Sequence, residues 1–372
     1  MNIGITINLR THIFSNGVNQ NAIYFANLLK EIGYTPYLIY DGDNEFEDIN
    51  EINTIHIDKS FNIKFDIIVQ FGLAIQDQFM NKFKEANKSI KLVAYECGNK
   101  FIMDMENILF KKEEDSVILT RSTPDQTWAI PQMEKSSMDY YKLINRQERA
   151  TVVPFIWEPL VIEDRMSEMG FGTYTPREIN RIGVLESNIS VMKNVVFPVM
   201  AIEKYYRERK DLDSVTLFGS DSIKHSSTFI SLTQLTEIYA DKKLFAHKRK
   251  ETVDVLNEMV DLIVSWQWEN NLNYLWIDAA WMGWPVVHNG SLCQDIGYYY
   301  EEFNANVAVD QIKSAIDTHN QDADYLKRNR EIIKRYTHQN EKLKEQYKML
   351  IENAVAGEFK EYTYDWKTNS IS

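Results

Sequence analysis

Cysteine is nearly missing from this chain. Cys97 and Cys293 are its two cysteines in 372 residues. They stand far apart, have no metal-ligand spacing, and read as free thiols of a reducing cytoplasm. Long apolar runs are missing too. Nothing approaches the ~18 residues that a bilayer-spanning helix requires. The opening residues, MNIGITINL, read as a strand and not as a basic secretion leader, so a cytoplasmic protein is expected. Positive charge is in deficit: 41 Lys and Arg against 54 Asp and Glu leave a net charge of −13. That excludes nonspecific nucleic-acid binding by the molecule as a whole, though not by a local basic face. No G-x-G-x-x-G follows the first strand, so the dinucleotide fingerprint is absent. Asp41-Gly42-Asp43 has the form of a metal-binding D-x-D, yet Asp-Gly after a strand is turn chemistry, and no metal is expected.

What is present suits two α/β domains of middling size, with 44% hydrophobic and 12% aromatic residues to build their cores. Asn2–Leu9 is predicted as a buried first strand, followed by a polar loop, an amphipathic helix to about Gly33 and a strand at Tyr37–Tyr40. Further strands are predicted at Asp66–Phe71, Lys91–Tyr95, Ser116–Thr120 and Thr151–Val153. Gly17 falls between the first strand and the first helix, the ligand-facing position of a doubly wound sheet; it also reads as a turn or cap glycine. Glu96 stands just beyond a strand end and close to Gly98, a place for an active-site acid or for a solvated loop residue. Pro154 and Pro159 bracket a stiff connection. The expected division is 1–155, an interdomain linker at 156–179, a second domain at 180–355 and a loose tail at 356–372.

The second half restarts with a strand at Ile182–Glu186. Its loop, Ser187-Asn188-Ile189-Ser190, leads through Lys193 to a helix ending near Arg209. Small polar residues at a helix N-terminus with a nearby cation suit a phosphate; capping plus a surface lysine is the plainer reading. Ser214–Phe218 is the next strand. Lys242–Lys250, KKLFAHKRK, is strongly basic and carries Arg249.

The most informative stretch is Ser265–Gly290. It follows an apolar run at Val260–Val264, offers Gln267, Asn270 and Asn273 as neutral hydrogen-bonders, and continues as an apolar helix from Leu272 to Met282. Gly283 and Pro285 end that helix, and Val286-Val287 begin a strand with His288 and Asn289 at its end, placed to face a ligand. One carboxylate, Asp278, sits in the greasy helix. A buried charge costs several kcal/mol unless it is paired or used by a ligand. A charged helix is predicted from about Asp322 to Ala354, broken near Thr337.

These residues resemble the GT-B glycosyltransferases. Many of those carry a Glu-x7-Glu element ahead of a Gly-x-Pro-Val strand; here the matching positions are Asn270 and Asp278, followed by Gly283-Trp284-Pro285-Val286. The first acid is therefore an asparagine. A closer resemblance is to DUF2827, a bacterial and phage family of GT-B-like proteins. It rests on Asn16-Gly17…Gln20-Asn21, Val153-Pro154-Phe155, Glu186…Asn188-Ile189-Ser190-Val191…Lys193, and Gln267-Trp268-Glu269-Asn270…Asn273-Tyr274-Leu275…Asp278…Gly283…Pro285…Val287-His288-Asn289.

The resemblance implies two Rossmann-like domains facing across a cleft, with the C-terminal helix packing back toward the N-terminal, acceptor-binding domain. It implies a metal-independent transferase of hexosyl or pentosyl groups, with a nucleotide-sugar, a UDP-sugar first, as co-substrate and no cofactor. Gly17, Glu186, Asn188, Ser190, Lys193, Arg249, Gln267, Asn270, Asn273 and Asp278 are the expected nucleotide-sugar residues, with Asp278 on the ribose and Lys193 on the diphosphate. Glu96 and His12 are candidates for the base that an inverting enzyme needs. Two acceptors fit: a cell-envelope glycan, or 5-hydroxymethylcytosine in phage DNA. For DNA, the basic stretches Lys142–Arg149, Lys242–Lys250 and Lys327–Arg335 would supply a groove. A nucleotide-sugar-binding protein without catalysis is the other class, kept open by Asn270.

Overall fold

The computed structural model describes residues 1–9, 17–42, 46–110 and 122–372. Their contacts divide into two compact units, Met1–Glu158 with Lys334–Ser372, and Pro159–Ile333.

The first unit is built on strands β1 (Asn2–Thr6), β2 (Thr35–Tyr40), β3 (Asn53–His56), β4 (Ile67–Gln70), β5 (Lys91–Glu96), β6 (Gln126–Ala129) and β7 (Ala150–Val152). They lie in the order β3-β2-β1-β4-β5-β6-β7, every pair parallel. Parallel strands are covered on both faces and therefore read as continuous apolar runs, which is why β1 and β4 are legible as NIGIT and IIVQ. The predicted strand Ser116–Thr120 lies outside the described residues. The neighbour of β5 is instead β6, whose Gln126 and Thr127 hid it. Both are buried and satisfied, Gln126 Nε2 donating to the Glu358 carbonyl at 2.7 Å. The chain winds outward from β1 to β3 and returns to β4, so its direction reverses between β1 and β4.

The second unit repeats this plan with β8 (Arg181–Val184), β9 (Ser214–Leu217), β10 (Leu244–Ala246), β11 (Leu262–Val264), β12 (Val286–His288) and β13 (Tyr298–Tyr299). The order is β10-β9-β8-β11-β12-β13, again wholly parallel, and the reversal falls between β8 and β11. Its core joins Ile182, Val184, Leu217 and Val264 to Val199, Ile202 and Tyr205 of the helix Val196–Arg209.

Three expectations need correction. The span 156–179 is not all linker: it contains the helix Leu160–Glu168. That helix belongs to the second unit, where Arg165 Nε and Nη2 donate to Asp254 at 3.0 and 3.1 Å. The charged helix breaks near Thr337 as expected, into Tyr325–Ile333 and Glu341–Ala356 with a 3-10 turn at Lys334–Tyr336 between them, but the expected domain boundary is misplaced. The chain crosses back to the first unit at that turn, so residues 334–355 do not belong with the second domain. There Tyr347 lies 5.5 Å from the Phe25 ring, and its hydroxyl donates to the Pro154 carbonyl at 2.6 Å and accepts from Tyr95 at 2.7 Å.

The tail is not loose. It closes as a hairpin of Tyr364–Asp365 with Ser370–Ile371, anchored by the wholly buried Asn369. Strands this short carry no periodicity, and the anchor is an amide and not an apolar side chain, so sequence patterning does not reveal it.

Candidate functional site

In open α/β sheets the crevice at the carboxyl ends of the strands, where the winding reverses, is the ligand position. In the second unit the loops after β8 and β11 leave the sheet at that point. Lys193 forms an isolated antiparallel bridge to Gln267, and the Trp268 amide donates to the Met192 carbonyl at 2.8 Å. The two loops are thus stitched together by backbone.

Between them lies a buried polar network. Glu186 is 2% exposed. One of its carboxylate oxygens accepts from Ser265 Oγ and the other from Gln267 Nε2 at 3.1 Å. Ser265 Oγ in turn accepts from the Trp276 indole at 2.8 Å. Gln267 Oε1 accepts from Asn270 Nδ2 and, at 3.0 Å, from Asn273 Nδ2. Asn289 closes the loop from the other side: its amide exchanges hydrogen bonds with the Gln267 backbone at 2.9 and 2.8 Å. Burial pushes the Glu186 carboxyl up to about 7, against the opposing pull of Ser265, Lys193 and Gln267.

Lys193 is half-buried. Among the described residues its ammonium makes no hydrogen bond or salt bridge; the charges acting on it are Glu186 and Arg249. Burial holds it below the usual lysine range, opposed by Glu186 and assisted by the like charge of Arg249. Arg249 is exposed. Two like charges brought together favour an anion between them.

The other expected residues are placed as follows. Asn188 adopts a left-handed backbone, φ 56°, which asparagine tolerates better than most residues. Its side chain is spent inside the loop, donating to the Glu186 and Phe218 carbonyls at 3.0 and 3.3 Å and accepting from the Val195 amide at 2.9 Å. Its own amide donates to the Lys193 carbonyl at 3.0 Å. Asn188 therefore shapes the loop and has no amide group left for a phosphate. Ser190 Oγ accepts from the Met192 amide at 3.2 Å. Asn273 caps the helix Tyr274–Trp281, accepting from the Leu275 amide at 2.9 Å. Gln267 has both ends of its amide engaged by protein. Asp278 is buried in that helix, 9% exposed.

In the first unit, Gly17 opens the helix Gly17–Ile32 and is exposed, while its carbonyl accepts from Asn21 Nδ2 at 2.9 Å. Glu96 ends β5, half-buried, and accepts from Asn145 Nδ2 at 3.4 Å. With burial first, its charge helps to push the Cys97 thiol and the Tyr141 phenol up. His12 lies outside the described residues.

One expectation fails outright. His288 does not face a ligand. It is wholly buried, its Nε2 donates to the Ile296 carbonyl at 2.8 Å, and its Nδ1 accepts from the Gly290 amide at 3.0 Å. Burial draws it down to about 4, so it is a neutral packing residue stacked 4.8 Å from Trp276. The residues that the sequence does not mark are Ser265, Trp276 as a donor, and Tyr300, whose hydroxyl donates to the Ser265 carbonyl at 2.7 Å.

Gly290 is also structural. A Cβ there would stand 2.3 Å from Trp276 Cζ3 and 2.8 Å from Cys293 Sγ. Gly290→Ala is expected to push Trp276 off Ser265 at a cost of about 1–3 kcal/mol. Thermal denaturation measures it, and an unchanged midpoint would contradict this packing.

The basic stretches are partly consumed by the fold. Arg328 pairs with Asp322 at 2.6 Å, Arg330 donates to the Trp281 carbonyl at 2.9 Å, and Lys142 lies 3.4 Å from Asp139 and 3.6 Å from Glu361. Lys248, Arg249 and Lys250 are exposed. Among the described residues no group of three metal-ligating side chains gathers, and no helix is long and apolar enough to cross a membrane.

No curated protein sequence matches this chain. Solved structures do. A glycosyltransferase from Rickettsia africae ESF-5 superposes with a TM-score of 0.56 at 15% identity, covering 95% of this chain and 98% of that one. An alpha-glucosyltransferase in complex with UDP and a 13-mer DNA containing an HMU base gives 0.58 at 12% identity, over 96% and 99%. WaaG, a glycosyltransferase involved in lipopolysaccharide biosynthesis, gives 0.52 at 12% identity, over 94% and 98%. At these identities the likeness is one of fold, and the fold is GT-B. A family model described as protein of unknown function (DUF2827) matches residues 3–351. The chain therefore belongs to the DUF2827 family and is built on the GT-B fold.

Proposed function

We propose that this protein is a metal-independent glycosyltransferase that moves a sugar from a nucleoside-diphosphate sugar, a UDP-sugar first, to an acceptor hydroxyl. The observation that carries the reading is the half-buried Lys193, without a direct ion-pair partner among the described residues and with Arg249 acting on it, at the winding reversal of a Rossmann-like sheet. Fixed cations at that point stabilise the charge that grows on a departing diphosphate, and they do so without reorganising. Asp278 takes the ribose hydroxyls. Gln267 and Asn273 hold the loop and do not touch the sugar. Asn270 Oδ1, which has no protein partner among the described residues, is offered to a sugar hydroxyl. The alpha-glucosyltransferase above was solved with UDP and DNA carrying an HMU base, which supports a hydroxymethylated pyrimidine as acceptor. The exposed Lys248–Lys250 cations give such DNA a local footing despite the acidic total. Glu96 and His12 remain the candidates for its base.

Thermal melting against UDP, GDP, UDP-glucose and other nucleotide-sugars tests the donor. A ligand at a hundred times its Kd adds about 2.7 kcal/mol, and Asp278→Ala is expected to lose that gain. Labelled UDP-glucose is then offered to 5-hydroxymethylcytosine DNA, to unmodified DNA and to envelope glycans. Label in the modified DNA alone supports the nucleic-acid acceptor; label in glycan alone replaces it. Binding with no transfer to any acceptor favours the second reading, a nucleotide-sugar-binding protein, to which Asn270 in place of an acid already inclines.

A further inference from the structure

Glu186 is expected from the sequence, yet a carboxylate is ill-matched by charge to an anion site. It stands in the same loop as Lys193, is buried, and brings negative charge to the place where a diphosphate would settle. Its surroundings satisfy the ionised carboxyl and offer the protonated one an acceptor, at the cost of turning the Ser265 hydroxyl proton away from it. When it is ionised, Ser265 Oγ–H and Gln267 Nε2–H both donate to it. When it is protonated on the oxygen that faces Ser265, the first of these bonds reverses. The serine hydroxyl, which already accepts from the Trp276 indole, has a second lone pair for the Glu186 proton. The Gln267 bond to the other oxygen survives unchanged. The charged and titratable groups around it are Lys193, on which Arg249 acts in turn, and Tyr300, whose phenol the Glu186 charge helps to push up behind the larger effect of burial.

We propose that Glu186 is the proton-accepting positioning residue of the donor site: a nucleoside-diphosphate sugar settling at Lys193 and Arg249 drives one proton from solvent onto the Glu186 carboxyl. This rests on the reading of the second unit as a nucleotide-sugar site. In the free protein the carboxylate balances Lys193. Arrival of the diphosphate supplies Lys193 with a stronger counter-charge and repels the carboxylate, whose burial leaves that repulsion weakly screened. Protonation removes that repulsion and leaves Lys193 and Arg249 to the ligand. Affinity therefore falls as pH rises through neutrality, by at most tenfold per pH unit for one proton.

The experiment is calorimetric titration with UDP-glucose at pH 6.5, 7.5 and 8.5, in two buffers of different ionisation enthalpy, which counts protons taken up. UDP-glucose is the probe because its diphosphate is esterified at both ends and does not itself titrate in this range. Wild type is expected to take up close to one proton at pH 8.5 and to bind roughly tenfold more weakly there than at pH 7.5. Glu186→Gln is expected to bind at all three values with little pH dependence and no uptake, and more tightly than wild type at pH 8.5. Its unliganded melt supplies a second readout. The folded carboxyl keeps its proton up to about 7, whereas an unfolded glutamate releases it near pH 4.3. Wild-type stability must then fall as pH rises through that window, and the variant should lose this slope.

Binding by wild type without proton uptake overturns the inference alone. So does uptake that persists in Glu186→Gln, which would assign the proton to Lys193. No binding by either protein at any pH overturns the donor-site reading as well.

Discussion

Lys193→Ala is expected to weaken UDP-glucose binding ten- to a hundredfold while leaving the fold intact. A charged hydrogen bond contributes about 1.5–3 kcal/mol, and this one would be made in a partly buried site where charge-assisted bonds are strongest. The unliganded protein has little to lose. Among the described residues the ammonium makes no hydrogen bond or salt bridge, and burial already works against its charge. Its removal leaves Glu186 without a cation, but that carboxyl can take a proton instead. The melting temperature without ligand should therefore stay within a few degrees of wild type, while the ligand-induced rise disappears. Calorimetric titration and thermal melting on the same preparation check both halves. Unchanged affinity would remove Lys193 from the donor site, and a collapse of the unliganded melt would make it a structural residue.

The largest stability effect is expected in the first unit, at Asn369. Its amide donates to the Phe155 and Arg335 carbonyls at 2.8 and 2.9 Å, and its carbonyl accepts from the Phe155 amide at 2.9 Å and from the Tyr364 hydroxyl at 2.8 Å. It is wholly buried and has φ 50°. Asn369→Ala leaves the buried Phe155 amide without its acceptor, at about 1–3 kcal/mol, and puts an alanine where left-handed backbone costs roughly 1–2 kcal/mol more. A loss of about 3 kcal/mol corresponds to roughly 6–12 °C for a unit of this size. Asn369→Gly keeps the backbone relaxed and should lose about 1–2 kcal/mol less. A midpoint within 2 °C of wild type for the alanine variant would show that the hairpin is an ornament on the first unit and not its clasp.

How much of this was legible beforehand differs element by element. β1, β4, β8 and β11 announced themselves, because strands buried on both faces must be apolar throughout. The helix Tyr274–Trp281 was legible from its asparagine cap and from the glycine and proline that end it. β6 was not, since its polar side chains are buried and find partners only through contacts made much later in the chain, such as Gln126 with Glu358. The site shows the same division. The residue types around Lys193 pointed to an anion by kind and spacing, whereas the ribose at Asp278 was what the resemblance to GT-B enzymes implied.

Roles within the site depended on which atom meets which. Asn188, Gln267 and His288 looked like ligand contacts, and the fold spends their polar atoms on its own loops. Ser265 and Tyr300 looked like nothing and complete the network around Glu186. By itself the sequence determined the two α/β halves and the kinds of group at each strand end, because periodicity, capping and turn chemistry are local. Only the tertiary structure decided that the tail closes as a hairpin on a buried asparagine, and which polar groups are already satisfied. Both follow from hydrogen bonds between residues that the sequence keeps far apart.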